Sequence, residues 1–190
     1  MVRWQPGTRE RLQAVALQLF TSEGYDATTV ARIAAEAEVT ERTFFRHFAD
    51  KPEVLFAGQE GFLGMFSDAV RSAPDGTAPF ALVRLALEGS VGFFPEERRA
   101  WSRARQVVID ATPALGEREL GKLATLTARL GELLRERGVA EPTATMAAET
   151  AVTVFHLAFA QWIAPDEARP FRTLVHERLD ALTAMVRSAG

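Results

Sequence analysis

The 190-residue sequence predicts an all-α fold of about nine helices, and three observations predict it. Apolar residues recur at i, i+3, i+4 and i+7 through most of the chain, the spacing of a single helix face. Sustained period-two alternation is missing, and the one Asp-Gly pair, in "PDG" (Pro74–Gly76), sits between helical patterns rather than between alternating strands. Proline and glycine breaks at "SAPDGTAP", Pro95, Pro113, Gly138–Pro142 and Pro165 cut the pattern into helix-length pieces.

The first piece is Thr8–Glu23, with Leu12, Val15, Ala16, Leu19 and Phe20 on one face and Gly24 placed to end it. The second starts near Thr28, a suitable N-cap, and aligns Val30, Ile33, Ala34 and Ala37. The third starts at the N-cap Thr40. Val39 and Phe44 flank it at hydrophobic-staple spacing, and Phe44 and Phe48 share its inner face. Asp50 caps a fourth helix with Glu53 as its capping-box partner, and Pro52 is tolerated in the first turn. This helix is expected to run through Leu55, Phe62, Met65 and Phe66 to Val70, interrupted by Gly58, Gly61 and Gly64. Five longer helices follow: Pro79–Phe94, Glu96–Ala111, Leu115–Arg137, Thr143–Ile163 and Glu167–Val186. The boundary between a small N-terminal domain (1–51) and a larger helical domain (52–190) falls near Lys51.

Composition narrows the function. Hydrophobic residues make up 47% and charged residues 25%, as in soluble globular proteins. With no cysteine, disulfides and thiolate metal sites are excluded, which fits a reducing compartment. "MVRWQPGTRERLQ" lacks the apolar run of a secretory signal, so the expected location is cytoplasmic. The longest uncharged stretch, Thr150–Pro165, has 16 residues, short of the roughly 20 needed to cross a bilayer. The three histidines lie far apart without H-x-x-x-H spacing, and there is no P-loop or G-x-S-x-G. We therefore expect no enzyme, no catalytic residues, no metal and no cofactor.

The net charge is −3, and residues 1–51 hold seven Lys/Arg against seven Asp/Glu, so any nucleic-acid surface must come from local pattern. That pattern is "TERTFFRHFADK", Thr40–Lys51. Two short helices joined by a tight turn have the layout of a helix-turn-helix, whose second helix enters the major groove. With Phe44 and Phe48 directed to a core of Leu12, Leu19, Phe20, Ile33 and Ala34, the outer side is left with Thr40, Glu41, Arg42, Thr43, Arg46 and His47. Arg pairs bidentately with guanine, Thr meets the thymine methyl or a phosphate, and a helix start near Thr28 and Thr29 offers N–H groups to phosphate.

The run "ATTVARIAAEAEVTERTFFRHFADKPEVLF" (Ala27–Phe56), preceded by "FTSEGYDATTV", resembles the DNA-binding domain of the TetR-type, or tetracycline-repressor-like, transcriptional regulators. The resemblance covers about residues 8–56. It implies phosphate contacts from Thr28 and Thr29, and base or backbone contacts from Thr40, Glu41, Arg42 and Thr43. It also implies phosphate-contact positions at Phe45 and His47, and a backbone grip by Lys51. Two positions depart from the family pattern. Glu38 stands where the turn normally has Gly, so the left-handed conformation is expected to be strained or reshaped, and Phe45 replaces the usual Tyr.

The resemblance further implies a C-terminal bundle that binds an unidentified small effector and forms a homodimer through the last two helices. It also implies repression, with release of a palindromic double-stranded operator when the effector binds. "TAVTVFHLAFAQWI" is apolar all round, as expected of a helix packed on its own core and on a partner. Candidate effector contacts are Phe62, Phe66, Trp101, Phe155 and Phe159, each of which also reads as plain core, and Arg105, one turn from Trp101 and able to meet an anion; His156 and Gln161 are polar candidates. Effector binding is expected to move the fourth helix, with its three glycines either softening that movement or allowing close packing. The alternative is an all-α small-molecule-binding or adaptor protein of the same fold that has lost specific DNA binding.

Overall fold

The periodic segments fold as helices. A computed structural model describes residues 7–188, and among them it holds ten α-helices, one 3-10 turn (Glu96–Arg98) and no strand. The helices are α1 (Thr8–Ser22), α2 (Val30–Glu36), α3 (Glu41–His47), α4 (Glu53–Phe56), α5 (Gln59–Arg71), α6 (Pro79–Val91), α7 (Arg99–Asp110), α8 (Pro113–Glu136), α9 (Thr143–Trp162) and α10 (Phe171–Arg187). No helix among the described residues is long and apolar enough to cross a membrane.

Two expected helices change. The fourth is not continuous: Ala57 turns extended (ψ 136°) and Gly58 takes φ +104°, a conformation glycine adopts without cost, so α4 and α5 are separate. The last helix begins at Phe171 rather than Glu167. Pro170 is extended (ψ 148°) and serves as its cap residue, while the Glu167 carboxylate is held by Arg169 and Gln161.

The chain divides into two units, and the division is not a single cut after Lys51. The first unit contains the residues up to Gly58 together with Ala104–Glu119; the second contains Gln59–Arg103 and Leu120 onward. α4 belongs with the first unit because Val54, Leu55 and Phe56 are buried there, with the Gln13 amide donating to the Val54 carbonyl at 3.2 Å.

In the first unit, Leu12, Ala16, Leu19 and Phe20 of α1 meet Ile33, Ala34, Phe44 and Phe48 in a small core. In the second, α5, α6, α8, α9 and α10 surround a cluster of phenylalanines with Trp162. Phe94 lies at its centre, 4.9–5.7 Å from the rings of Phe62, Phe155, Phe159, Trp162 and Phe171. Gly89 lets α6 approach α5 closely, since a Cβ there would stand 2.3 Å from the Met65 carbonyl oxygen.

Candidate nucleic-acid interface

The second of the two short helices presents a sorted surface. Thr40 is extended (ψ 157°), and its hydroxyl accepts from the Thr43 N–H at 3.2 Å, the N-cap geometry that starts α3. With α3 so phased, Phe44 and Phe48 are fully buried, and Glu41, Arg42, Phe45 and Arg46 are exposed. Phe45 shows 52% of its surface, an unusual display for a phenylalanine, supported edge-on by Phe44 at 5.5 Å. Among the described residues no carboxylate pairs with Arg42 or Arg46, whereas Arg32 is bound to Glu36 at 2.6 Å and Glu23 at 3.2 Å. The cations on α3 are thus available for an external anion, and the one on α2 is not.

The turn ahead of α3 adopts the strained form expected of its sequence. Glu38 has φ +54°, the left-handed region in which glycine is at home. Its N–H donates to the Ala35 carbonyl and that of Val39 to the Ala34 carbonyl, so the turn is held by backbone bonds whatever the side chain.

Other expected contacts are placed differently. Thr28 is fully buried and donates its hydroxyl to the Gly24 carbonyl at 2.7 Å; its side chain holds the α1–α2 loop, so it is not on the surface that the resemblance implies. Thr29 is the actual N-cap of α2, exposed, accepting from the Arg32 N–H at 3.1 Å. Thr43 and His47 are half-buried, and His47 Nε2 is buried without a partner among the described residues. Lys51 does not stand free: its ammonium donates to the carbonyls of Tyr25 (2.9 Å) and Thr28 (3.0 Å) and lies 4.1 Å from the centre of the Tyr25 ring. Burial raises the Tyr25 phenol above its ordinary range; Asp50 and Asp26 add to this and Arg118 opposes it.

The sequence missed what holds α4. Asp50 Oδ1 accepts from the Glu53 N–H at 2.8 Å, as the cap spacing predicts. From 65 and 68 residues away, Arg118 spans both carboxylates, with 2.8 Å to Asp50 and 2.8 Å to Glu53. Burial works to lower the Arg118 pKa, but the hydrogen bonds and charges of Glu53 and Asp50 outweigh it and raise it. No local periodicity signals a pair so distant in sequence.

The candidate effector residues divide between the units. Phe62, Phe66, Phe155 and Phe159 come together in the ring cluster of the second unit, joined by Phe94. Trp101 lies under Arg98, which also covers Phe93 at 4.0 Å. Arg105 belongs to the first unit. It donates to the Leu55 carbonyl at 2.8 Å and pairs with Glu119 at 2.8 Å, so it is a partner of α4 and not of the rings. His156 is exposed on α9, and Gln161 donates to Glu167. In the cluster, Trp162 is fully buried and its indole N–H has no acceptor among the described residues.

Known proteins share parts of this sequence and this fold. Residues 12–57 match the model of a family described as bacterial regulatory proteins, tetR family. The HTH-type transcriptional regulator TcmR of Streptomyces glaucescens is 32% identical over 135 residues, covering 68% of this chain and 60% of that protein. The chain therefore spans less than two thirds of that relative's length. YvkB of Bacillus subtilis (strain 168), an uncharacterised HTH-type transcriptional regulator, is 46% identical over 50 residues, 26% of each chain. Among solved structures, the transcriptional regulator FadR of Bacillus subtilis, in complex with stearoyl-CoA, superposes with a TM-score of 0.62. It is 14% identical, with 91% of this chain and 96% of that one covered, a likeness of fold alone.

Proposed function

Because the chain belongs, through its N-terminal domain, to the tetR family of bacterial regulatory proteins, we propose that it is a ligand-responsive, DNA-binding transcriptional regulator, a repressor released from a palindromic operator by a small-molecule effector. The observation that carries this reading is the sorted surface of α3: Phe44 and Phe48 inward, Arg42, Phe45 and Arg46 outward, the two arginines without a carboxylate partner among the described residues. On this reading Arg42, with Thr40, Glu41 and Thr43, meets base edges or the adjoining backbone, Thr29 and the N–H groups at the start of α2 meet phosphate, and Phe45 packs on a sugar or a thymine methyl. His47 adds a backbone contact. No step of this function calls on catalysis, a metal or a cofactor, and the chain acts in the cytoplasm.

The effector is read as an apolar small molecule received by the ring cluster around Phe62, Phe66, Phe155 and Phe159. Trp162 supplies one buried hydrogen-bond donor there. The stearoyl-CoA of the Bacillus subtilis FadR structure supports this only as an instance of the same fold holding a ligand with a long apolar chain. A homodimer forms through α9 and α10. Leu157 (50% exposed) and Met146 (66%) on α9, and Met185 (64%) and Val186 (66%) on α10, are the apolar surface it would cover.

The test is binding of the full chain to DNA from upstream of its own coding region, at several salt concentrations. Specific binding that weakens steeply with salt is expected. No binding at low salt would favour a ligand-binding protein of this fold without an operator.

A further inference from the structure

The corner between α7 and α8 is assigned by contacts to the first unit, although its residues lie 50 or more positions beyond α3. Two arginines account for this. Arg118 forks across Asp50 and Glu53 at the start of α4, and Arg105 donates to the Leu55 carbonyl near its end, itself fixed by Glu119. Both guanidinium groups lie over the Phe56 ring, at 4.8 Å for Arg105 and 5.8 Å for Arg118. A four-residue helix has few internal hydrogen bonds of its own, so its place is set by what grips it. α4 in turn grips the helix-turn-helix. Lys51, one residue past the Asp50 cap, donates to the Tyr25 and Thr28 carbonyls, and Thr28 immediately precedes Thr29, the N-cap of α2.

We propose that Arg105 and Arg118 are positioning residues for operator binding: they set α4, and through Lys51 they set the start of α2 and so the helix-turn-helix. Lys51 then acts chiefly on the protein's own carbonyls. The inference rests on the DNA-binding function proposed above.

The test uses the full chain and a DNA sequence it selects from a random pool. Asp50→Asn with Glu53→Gln removes both carboxylates that Arg118 grips while keeping a cap residue at position 50. Charge alone would make this variant bind DNA more tightly, because two negative groups are gone. Positioning predicts the opposite: about tenfold weaker specific binding at constant salt. Arg118→Gln should weaken binding similarly and Arg118→Lys less, since an ammonium keeps the positive charge beside the two carboxylates although it lacks the fixed fork. Lys51→Gln should weaken binding with the salt slope unchanged, where a lost phosphate contact would lower the slope by about 1.

Hydrogen exchange of the amides from Thr28 to Arg32 in the DNA-free protein gives a second reading, expected to speed up in Arg118→Gln at unchanged helix content. Unweakened binding by the Asp50→Asn/Glu53→Gln variant, or a slope reduced by about 1 in Lys51→Gln, would overturn the inference while the parent's specific binding stood. A parent chain that selects no sequence would overturn the DNA-binding function itself, and the inference with it.

Discussion

Glu38 holds a backbone conformation that its side chain does not favour. A left-handed residue other than glycine costs roughly 1–2 kcal/mol, and nothing in the turn's hydrogen bonds, which are all backbone, needs the carboxylate. Glu38→Gly should therefore stabilise the chain by about 1 kcal/mol, read as a rise in the urea midpoint, and should strengthen DNA binding by removing a negative charge beside α3. Tyr25 offers a second check, because it is the only tyrosine in the chain. Its phenol is raised chiefly by burial and then by Asp50, so a single ultraviolet transition is expected above the ordinary value of about 10. The sign follows from a neutral form preferred in the fold. The stabilisation is complete below about pH 10 and is lost as the pH rises through the folded-state value. At this scale the sequence was a partial guide. The inward phenylalanines and the cap at Thr40 were legible because periodicity and side-chain chemistry are local. The burial of Thr28 was not, because its hydroxyl answers the Gly24 carbonyl in a loop whose path periodicity does not describe.

At the scale of elements, the glycines of α5 separate from those that packing requires. A Cβ on Gly61 or Gly64 would meet nothing within 4 Å among the described residues, so close helix packing is not their reason. Gly61→Ala and Gly64→Ala should each stabilise the protein by about 1 kcal/mol in thermal melts. Gly89→Ala should destabilise it, because its Cβ would collide with the Met65 backbone of the neighbouring helix. Most helix ends were legible, since prolines and caps mark them. The break between α4 and α5 was not, because a lone glycine in a helical pattern reads as tolerated, and only its φ of +104° shows that the chain turns there.

At the scale of the whole molecule, the proposed positioning of the helix-turn-helix rests on ties that no sequence window contains. Arg118 with Asp50 and Glu53, and Arg105 with Leu55, link residues 50 to 68 positions apart, and Arg105 falls in the first unit, bound to α4. The outer face of α9 carries exposed Leu157 and His156 beside a buried face of Ala151, Val154, Phe155 and Ala158. If the proposed homodimer forms through this face, Leu157→Glu should leave the subunit folded, halve the mass seen by sedimentation and abolish tight operator binding, because a two-half-site operator needs both recognition helices.

The central claim, that the outer face of α3 reads DNA, is tested most directly by selecting binding sites from random DNA with the parent chain and with Arg42→Ala. The account predicts a palindrome whose half-sites lie about one helical turn, or a multiple of it, apart, with preference lost at one symmetric pair of positions in Arg42→Ala. Enrichment of no sequence by the parent, or identical sites for both proteins, would contradict it.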